Sequence, residues 1–190
     1  MIVLKVGGAS TGGVAAAIAA LDEPVCVVHG AGPQISEEME RRGLDVVFVG
    51  GRRVTTAAGL EVVRESFAAV SAAVCAAVGP LALPLAGDEI GLEAEQLPEL
   101  GLVGRPLPCA PAAVLEALAV GIGATRISFL TDVPGVYRDG ELVHSIDAHG
   151  AQTLVDGGVF DGGIVPKLLA AALAARNGVA ADIGVTAVVA

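Results

Sequence analysis

The stretch Ile2-Val-Leu-Lys-Val-Gly-Gly8 determines the fold class, since an apolar strand ends there in two glycines. Pro24-Val-Cys-Val-Val28 repeats this pattern and is followed by His29-Gly-Ala-Gly32. An Ala-rich helical segment follows the first strand, and a helix predicted over Pro33–Arg42 follows the second. Apolar strands that alternate with helices are typical of a parallel sheet covered on both faces. The sequence therefore predicts an α/β fold.

The rest of the chain continues this architecture. Apolar, β-branched runs predict further strands at Leu81–Leu85, Arg126–Leu130 and Ala181–Val189. Apolar periodicity and Ala-rich composition predict helices over Thr56–Val78, Ala112–Val120, Gln152–Asp156 and Pro166–Asn177. Two irregular stretches are candidates for hairpins, namely Phe48–Thr55 and Gly87–Pro111. Because no repeat or linker is visible, we predict a single domain over residues 1–190.

Composition and charge exclude several classes of protein. The chain has 190 residues, of which 54% are hydrophobic, which is too apolar for a disordered segment. No apolar run reaches the length of a membrane span, and Met1 leads directly into a strand, so a soluble cytoplasmic protein is expected. A net charge of −10 argues against nucleic acid as a partner. Three widely spaced cysteines, Cys26, Cys75 and Cys109, are interpreted as core residues.

Lysine is rare, and its two positions are informative. The chain has nine arginines but only Lys5 and Lys167, and both lie beside paired glycines. Lys5 ends an apolar strand, where an ammonium group is costly unless it reaches solvent or an anion. A lysine at the sheet rim and an ordinary helix lysine are the structural alternatives. With two glycine turns and no P-loop or G-x-G-x-x-G pattern, the pair favours phosphoryl transfer stabilised by lysines.

Five segments in one order resemble the amino acid kinase family, and above all its branch that phosphorylates N-acetyl-L-glutamate. The resemblance covers nearly the whole chain. It rests on Lys5-Val-Gly-Gly8, Val28-His-Gly-Ala-Gly-Pro-Gln-Ile-Ser36, Gly51-Arg-Arg-Val-Thr55 with Leu60-Glu-Val-Val63, Phe129-Leu-Thr-Asp-Val-Pro-Gly-Val136 and Gly162-Gly-Ile-Val-Pro-Lys167.

This resemblance implies a fold and an activity. The fold would be a three-layer αβα sandwich with a mainly parallel open sheet, with the amino-acid substrate on the side of residues 1–110 and the nucleotide on the side of 111–190. The activity would be transfer of the γ-phosphoryl group of ATP, with Mg²⁺, to a carboxylate. The product would be an acyl phosphate of arginine biosynthesis. Such kinases also assemble as homodimers or larger homo-oligomers.

The resemblance also implies roles for individual residues. Lys5 and Lys167 would neutralise charge on the transferring phosphoryl group, and Arg53 would hold the α-carboxylate of the amino acid as a bidentate pair. The substrate side would also offer backbone amides, from Gly7, Gly8, Gly30, Ala31 and Gly32. The nucleotide would be bordered by Thr131, Asp132, Gly135, Val136, Val159, Phe160 and Asp161. No residue of the chain is predicted to ligate a metal by itself.

The chain departs from the family pattern before the strand Arg126–Leu130. Family members carry there a strand and an Asn-x-Asn-Ala-Asp-like segment, which supplies a substrate-binding asparagine and an aspartate that orients the two lysines. The only asparagine of this chain is Asn177. The pattern fits either a compact variant with a rearranged sheet or a chain that lacks segments of a longer protein, since simple loss of a central strand would leave backbone groups unpaired.

Two alternative functions therefore stay open. One is a catalytically impaired protein that binds a nucleotide or an amino acid on the same fold. The other is a kinase for a related acidic substrate of the aminoadipate type, attached to a carrier protein.

Overall fold

The structure is a computed structural model that describes residues 1–7, 13–87, 89, 93–107, 119 and 121–190. The chain forms two compact units. The first comprises Met1–Val6, Ala20–Val28 and Ala110–Ala190, and the second comprises Gly7–Ala19 and His29–Cys109. The single domain with a substrate side over 1–110 and a nucleotide side over 111–190 stays a prediction.

The described residues contain twelve strands and five α-helices. The strands are β1 (Ile2–Val6), β2 (Val25–His29), β3 (Phe48–Val49), β4 (Arg52–Arg53), β5 (Glu93–Gln96), β6 (Gly104–Leu107), β7 (Arg126–Leu130), β8 (Tyr137–Arg138), β9 (Glu141–Leu142), β10 (Ser145–Asp147), β11 (Ala180–Ile183) and β12 (Thr186–Val189). The helices are α1 (Val14–Ala19), α2 (Gly32–Arg41), α3 (Ala57–Val78), α4 (Ala151–Asp156) and α5 (Ile164–Arg176). None of these helices is long and apolar enough to cross a lipid bilayer.

The first unit is built on a six-stranded sheet flanked by helices. The strand order is β10-β12-β11-β7-β1-β2. Strand β7 runs parallel to both β1 and β11, β10 runs parallel to β12, and β11 and β12 are antiparallel. The predicted α/β class with a mainly parallel open sheet is confirmed.

Strand β1 pairs directly with β7, from Ile2 opposite Arg126 to Val6 opposite Leu130. The missing family segment would precede β7 in the sequence. The ladder between β1 and β7 is nevertheless continuous, so the shortened chain leaves no open edge between these two strands. The sheet is therefore compatible with a compact variant.

The two faces of this sheet differ in character, because successive strand residues point to opposite sides. Val3, Ile127 and Ile183 lie on one face and are fully or almost fully buried in one core with Leu168 of α5. Lys5 lies opposite Phe129, and therefore on this α5 face. Adjacent positions, such as Ser128 and Asp182, lie on the other face.

The predicted terminal strand Ala181–Val189 is wrong as a single element. The structure divides it into β11 and β12, which form an antiparallel hairpin. Gly184 lies between them with a φ of 58°, a left-handed conformation that glycine adopts at little cost. The continuous β-branched composition conceals this turn from a periodicity analysis.

The second unit combines helices α1, α2 and α3 with two hairpins. The predicted hairpins over Phe48–Thr55 and within Gly87–Pro111 are confirmed as β3–β4 and β5–β6. Thr56 caps α3, because its Oγ1 accepts a hydrogen bond from the backbone N–H of Gly59 at 3.1 Å. Helix α3 therefore begins directly after Thr56, which confirms the predicted helix Thr56–Val78.

The predicted strand Leu81–Leu85 is wrong. The described chain has no strand over these residues, and the three leucines Leu81, Leu83 and Leu85 are 97%, 77% and 60% exposed. Alternating leucines resemble a half-buried strand, but a strand also needs a partner for its backbone groups. The predicted helix Ala112–Val120 lies outside the described residues, apart from Ala119.

Candidate active site

In the first unit, the parallel strands bring three chain segments to one edge of the sheet. β1, β7 and β11 end at Val6, Leu130 and Ile183, and because they are parallel their carboxyl ends lie at the same edge. Segment 131–136 leaves the sheet from this edge. Ligands of open α/β sheets bind beyond the carboxyl ends of the strands, so this edge is the candidate site of the unit.

Lys5 and Lys167 interact electrostatically at this edge. Lys5 lies on β1, is half-buried, and its Nζ donates a hydrogen bond to the Val6 carbonyl oxygen at 3.1 Å. Burial, and secondly the charge of Lys167, lower the pKa of Lys5. Lys167 lies in the first turn of α5, whose N-cap Gly163 has no side chain to cap the helix. The structure therefore brings together the two lysines that the sequence singles out.

The lysine pair concentrates positive charge that no carboxylate of the described residues offsets. Among the residues that the structure describes, no carboxylate forms an ion pair with either ammonium group. The amino end of a helix adds further positive potential at Lys167. Two like charges in a partly desolvated place favour binding of an anion, and a phosphoryl group carries the charge that would offset both.

Asp182 cannot take the place of the aspartate that orients the lysines in the family. Its Oδ2 accepts a hydrogen bond from Ser128 Oγ at 2.9 Å and lies 3.8 Å from Arg126 Nε. Asp182 lies one residue before Ile183 and thus on the face opposite to Lys5. Burial raises the pKa of the Asp182 carboxyl group. This group lies on the face of the sheet opposite to Lys5.

The residues predicted to border the nucleotide divide into two groups by burial. Gly135, Val136 and Phe160 are buried, the last within the hydrophobic core at 7% exposure, so little of their surface can contact a ligand. The other predicted residues expose side-chain atoms to different extents; they are Thr131, Asp132, Val159 and Asp161. The hydroxyl of Thr131 donates a hydrogen bond to the Val133 carbonyl oxygen at 2.6 Å.

In the second unit, Arg53 lies on β4 and its guanidinium is held from several sides. Nη2 donates hydrogen bonds to Ser36 Oγ at 2.8 Å and to the Gly32 carbonyl oxygen at 3.2 Å. Nη1 lies 3.5 Å from Met39 Sδ, and the Phe48 ring centroid is 4.6 Å from Arg53 Cζ. Partial burial lowers the pKa of Arg53. The group is thus oriented before any ligand binds.

Arg53 differs from Arg41 and Arg42 of this unit, because no described carboxylate forms an ion pair with it. Arg41 and Arg42 both donate hydrogen bonds to Glu38. Arg53 forms no ion pair within the described part of the chain. Of the two adjacent arginines in the hairpin, Arg53 is the one shown bonded to the start of α2, and its role as an anion ligand stays a prediction.

The glycine turn Gly30-Ala31-Gly32 lies directly before and at the first turn of α2. Ala31 has no polar side chain to cap the helix, and a Cβ built on Gly32 would meet nothing within 4 Å. Backbone amides and open space therefore lie close to Arg53 in the same unit. Gly7 follows β1, whereas Gly8 lies outside the described residues.

Sequence analysis missed the residues that support Arg53. Ser36 and Met39 follow Gly32 by four and seven positions, which places them on one side of α2. Phe48 pairs with Arg53 across the β3–β4 hairpin. The helical spacing and the hairpin register could have identified these neighbours, but only after Arg53 itself was chosen.

Among the described residues, no group of three His, Cys, Asp or Glu side chains could hold a metal ion.

Each unit thus contains, among its described residues, one candidate anion-binding arrangement, the lysine pair in the first and Arg53 with the start of α2 in the second. The sequence has no P-loop motif, so this α/β protein does not belong to the P-loop class. Comparison with known proteins makes the class specific. The amino acid kinase family model matches residues 1–101 and 113–185, and the chain belongs to this family.

Curated relatives support the same assignment. The chain is 35% identical to an acetylglutamate kinase of Rubrobacter xylanophilus, with 96% of this chain and 87% of the relative covered. It is 33% identical to an acetylglutamate kinase of Thermus thermophilus, with 93% and 87% covered. The alignment with the first relative extends over 221 residues although this chain has only 190, so the relative carries internal residues that this chain lacks.

Solved structures confirm the fold. The smu.665 protein of Streptococcus mutans UA159 superimposes with a TM-score of 0.82 at 22% identity, with 99% of this chain and 98% of that chain covered. A carbamate kinase of Giardia lamblia, solved with AMP-PNP, superimposes with a TM-score of 0.65 at 14% identity, with 99% and 97% covered. At these identities, the likeness concerns the fold alone.

Proposed function

We propose that this chain transfers the γ-phosphoryl group of ATP to the side-chain carboxylate of N-acetyl-L-glutamate, giving an acyl phosphate in arginine biosynthesis. The observation that carries this proposal is the pair of Lys5 and Lys167, which share a sheet edge with no carboxylate partner among the described residues. Membership of the family and the names of the relatives support both the phosphoryl transfer and the choice of acceptor.

The proposed chemistry needs positioning and charge stabilisation more than a strong base. A carboxylate oxygen of the acceptor forms a bond to the γ-phosphorus, while the bond from that phosphorus to the β–γ bridging oxygen breaks and ADP leaves. The acceptor is already ionised at neutral pH, so no proton has to be removed from it. Lys5 and Lys167 stabilise the negative charge on the phosphoryl oxygens during the transfer.

The remaining predicted residues take supporting roles in this proposal. Arg53 binds the α-carboxylate of the acceptor, and the backbone amides of Gly7, Gly8, Gly30, Ala31 and Gly32 contribute further donors. The nucleotide is bordered by Thr131, Asp132, Gly135, Val136, Val159, Phe160 and Asp161. Mg²⁺ is expected to arrive on the phosphates of ATP, since no cluster of described side chains suits it as an independent ligand set. A homodimer in the cytoplasm is the proposed form of the protein.

The proposal is tested by ADP release with MgATP and N-acetyl-L-glutamate, with hydroxylamine present to trap the acyl phosphate. Lys5→Met and Lys167→Met keep most of each side chain's volume and remove the charge. Each is expected to lower kcat by about a hundredfold or more, the size seen when one charge-stabilising group is lost. Arg52→Met is the matched control, since it removes a positive charge that has no proposed role. Absence of turnover that depends on the acceptor would refute the kinase proposal.

A second candidate is a binding protein without phosphoryl transfer. It is favoured by the placement of Asp182 on the opposite face of the sheet, which leaves the lysines without an orienting carboxylate among the described residues. Calorimetry would then detect binding of MgATP while the coupled assay detects no acyl phosphate. An acyl aminoadipate acceptor in the same assay tests the related acidic substrate.

A further inference from the structure

Thr186 is a fully buried residue at the start of β12, and its hydroxyl joins two parts of the first unit. Its Oγ1 accepts a hydrogen bond from the Val136 N–H at 2.9 Å and donates one to the Val143 carbonyl oxygen at 2.6 Å. A threonine hydroxyl has one donor hydrogen, which is therefore used for Val143. Thr186 Oγ1 thus bonds to Val136, the last residue of segment 131–136, and to Val143, which follows β9.

The backbone around Thr186 is packed against segment 131–136 as closely as glycine allows. A Cβ built on Gly135 would lie 2.6 Å from Thr186 Oγ1, and a Cβ built on Gly184 would collide with the Pro134 carbonyl oxygen. The Gly184 N–H donates to the Phe129 carbonyl oxygen at 3.0 Å. The Val185 N–H donates to the Pro134 carbonyl oxygen at 2.8 Å. The β11–β12 turn therefore holds segment 131–136 in place.

We infer that Thr186 is a positioning residue for the nucleotide, acting through segment 131–136. This inference rests on the proposed function, in which residues of that segment border the nucleotide. Both backbone groups of Val136 are already bonded, the N–H to Thr186 Oγ1 and the carbonyl oxygen to the Val143 N–H, so the segment can meet a ligand at its other end, where Thr131 and Asp132 expose side-chain atoms. The position of the segment depends on the Thr186 hydroxyl, because no other side chain within the described residues accepts a hydrogen bond from the Val136 N–H.

Three variants separate positioning from general stability. Thr186→Val keeps the shape of the side chain but removes the hydroxyl, so the Val136 N–H loses its acceptor. Thr186→Ser keeps the hydroxyl and removes one methyl group. Ser128→Ala is the matched control, because it also removes a side-chain hydrogen bond between strands, to Asp182 at 2.9 Å, but on the opposite face of the sheet.

The inference predicts a change that is specific to the nucleotide. Thr186→Val should raise the KM for ATP about tenfold, the effect of one or two lost hydrogen bonds, with the KM for N-acetyl-L-glutamate unchanged within about twofold. Thr186→Ser should restore the KM for ATP to within about twofold of the parent, and Ser128→Ala should change neither KM. If Thr186→Val does not fold, Thr186→Cys provides the same test, because a thiol is only a weak hydrogen-bond donor and acceptor in place of the hydroxyl.

Calorimetric titration with MgATP alone distinguishes a failure of the inference about Thr186 from a failure of the proposed function. If the parent protein binds MgATP and the hydroxyl-free variant binds it equally well, Thr186 does not position the nucleotide site. An equal rise in both KM values would likewise identify a merely structural residue and overturn the inference. If the parent protein does not bind MgATP at all, the proposed function fails, and the inference fails with it.

Discussion

Replacing Arg53 by lysine tests the proposed acceptor site, because the change keeps the charge and removes the planar guanidinium. In the structure, this group is held by Ser36 Oγ, by the Gly32 carbonyl oxygen and by stacking near the Phe48 ring. A lysine ammonium is a compact charge that cannot form two parallel hydrogen bonds with one carboxylate. The variant should therefore bind the acceptor more weakly.

The expected size of this effect follows from the contacts that are lost. A hydrogen bond to a charged group contributes about 1.5–3 kcal/mol, and the lysine is expected to keep one of the two bonds to the carboxylate. Each 1.4 kcal/mol corresponds to about a tenfold change in affinity. Arg53→Lys should thus raise the KM for N-acetyl-L-glutamate about 10- to 150-fold. The KM for ATP should change less than about twofold, since Arg53 has no proposed role towards the nucleotide.

Steady-state kinetics with each substrate varied in turn provide the assay. Arg52→Lys is the matched control, because it makes the same chemical change one position away in the same hairpin. Circular dichroism and thermal unfolding establish that both variants are folded. An unchanged KM for the acceptor in Arg53→Lys, or an equal rise in Arg52→Lys, would refute the assignment of Arg53 to the α-carboxylate.

Two further predictions concern stability. Because the pKa of Lys5 is lowered in the folded protein, the unfolded chain binds more protons between that value and the ordinary lysine value of about 10.4, and stability rises with pH over this window. Lys5→Met should therefore melt at a higher temperature than the parent protein at pH 7, with an advantage that shrinks towards pH of about 10; equal melting temperatures at pH 7 would contradict this. Gly184→Ala should cost about 2–4 kcal/mol in urea unfolding, whereas Gly140→Ala should cost only about 1 kcal/mol. Both glycines have positive φ, 58° and 82°, but only a Cβ on Gly184 would collide with the Pro134 carbonyl oxygen, so equal costs would contradict the role of that contact.

The sequence predicted those parts of the fold that depend on local pattern. The apolar run that contains Lys5 becomes β1, and the capping residue Thr56 marks the start of α3. Both features are encoded within a few residues. The glycines after β1 and before α2 also predicted where the chain leaves the strand or enters the helix.

The features that the sequence did not predict depend on contacts between distant residues. Leucines 81, 83 and 85 have the alternation of a strand, but no neighbouring strand pairs with them in the described chain. The split of the terminal strand depends on Gly184 meeting Pro134, fifty positions earlier. Thr186 has no local signal at all, because its role arises from hydrogen bonds to Val136 and Val143.

The charges of the lysine pair affect nucleotide binding and phosphoryl transfer in different ways. The Lys5 ammonium group donates a hydrogen bond to the Val6 carbonyl oxygen, and the backbone of Lys167 is placed by the first turn of α5. Such a pair attracts a phosphate even without an orienting carboxylate, since repulsion between the two charges is relieved when an anion binds. An orienting carboxylate would chiefly align the lysines with the transferring group, which affects kcat more than affinity. Loss of either lysine should therefore weaken nucleotide binding in a kinase and in a binding protein alike, and only turnover that depends on the acceptor distinguishes the two.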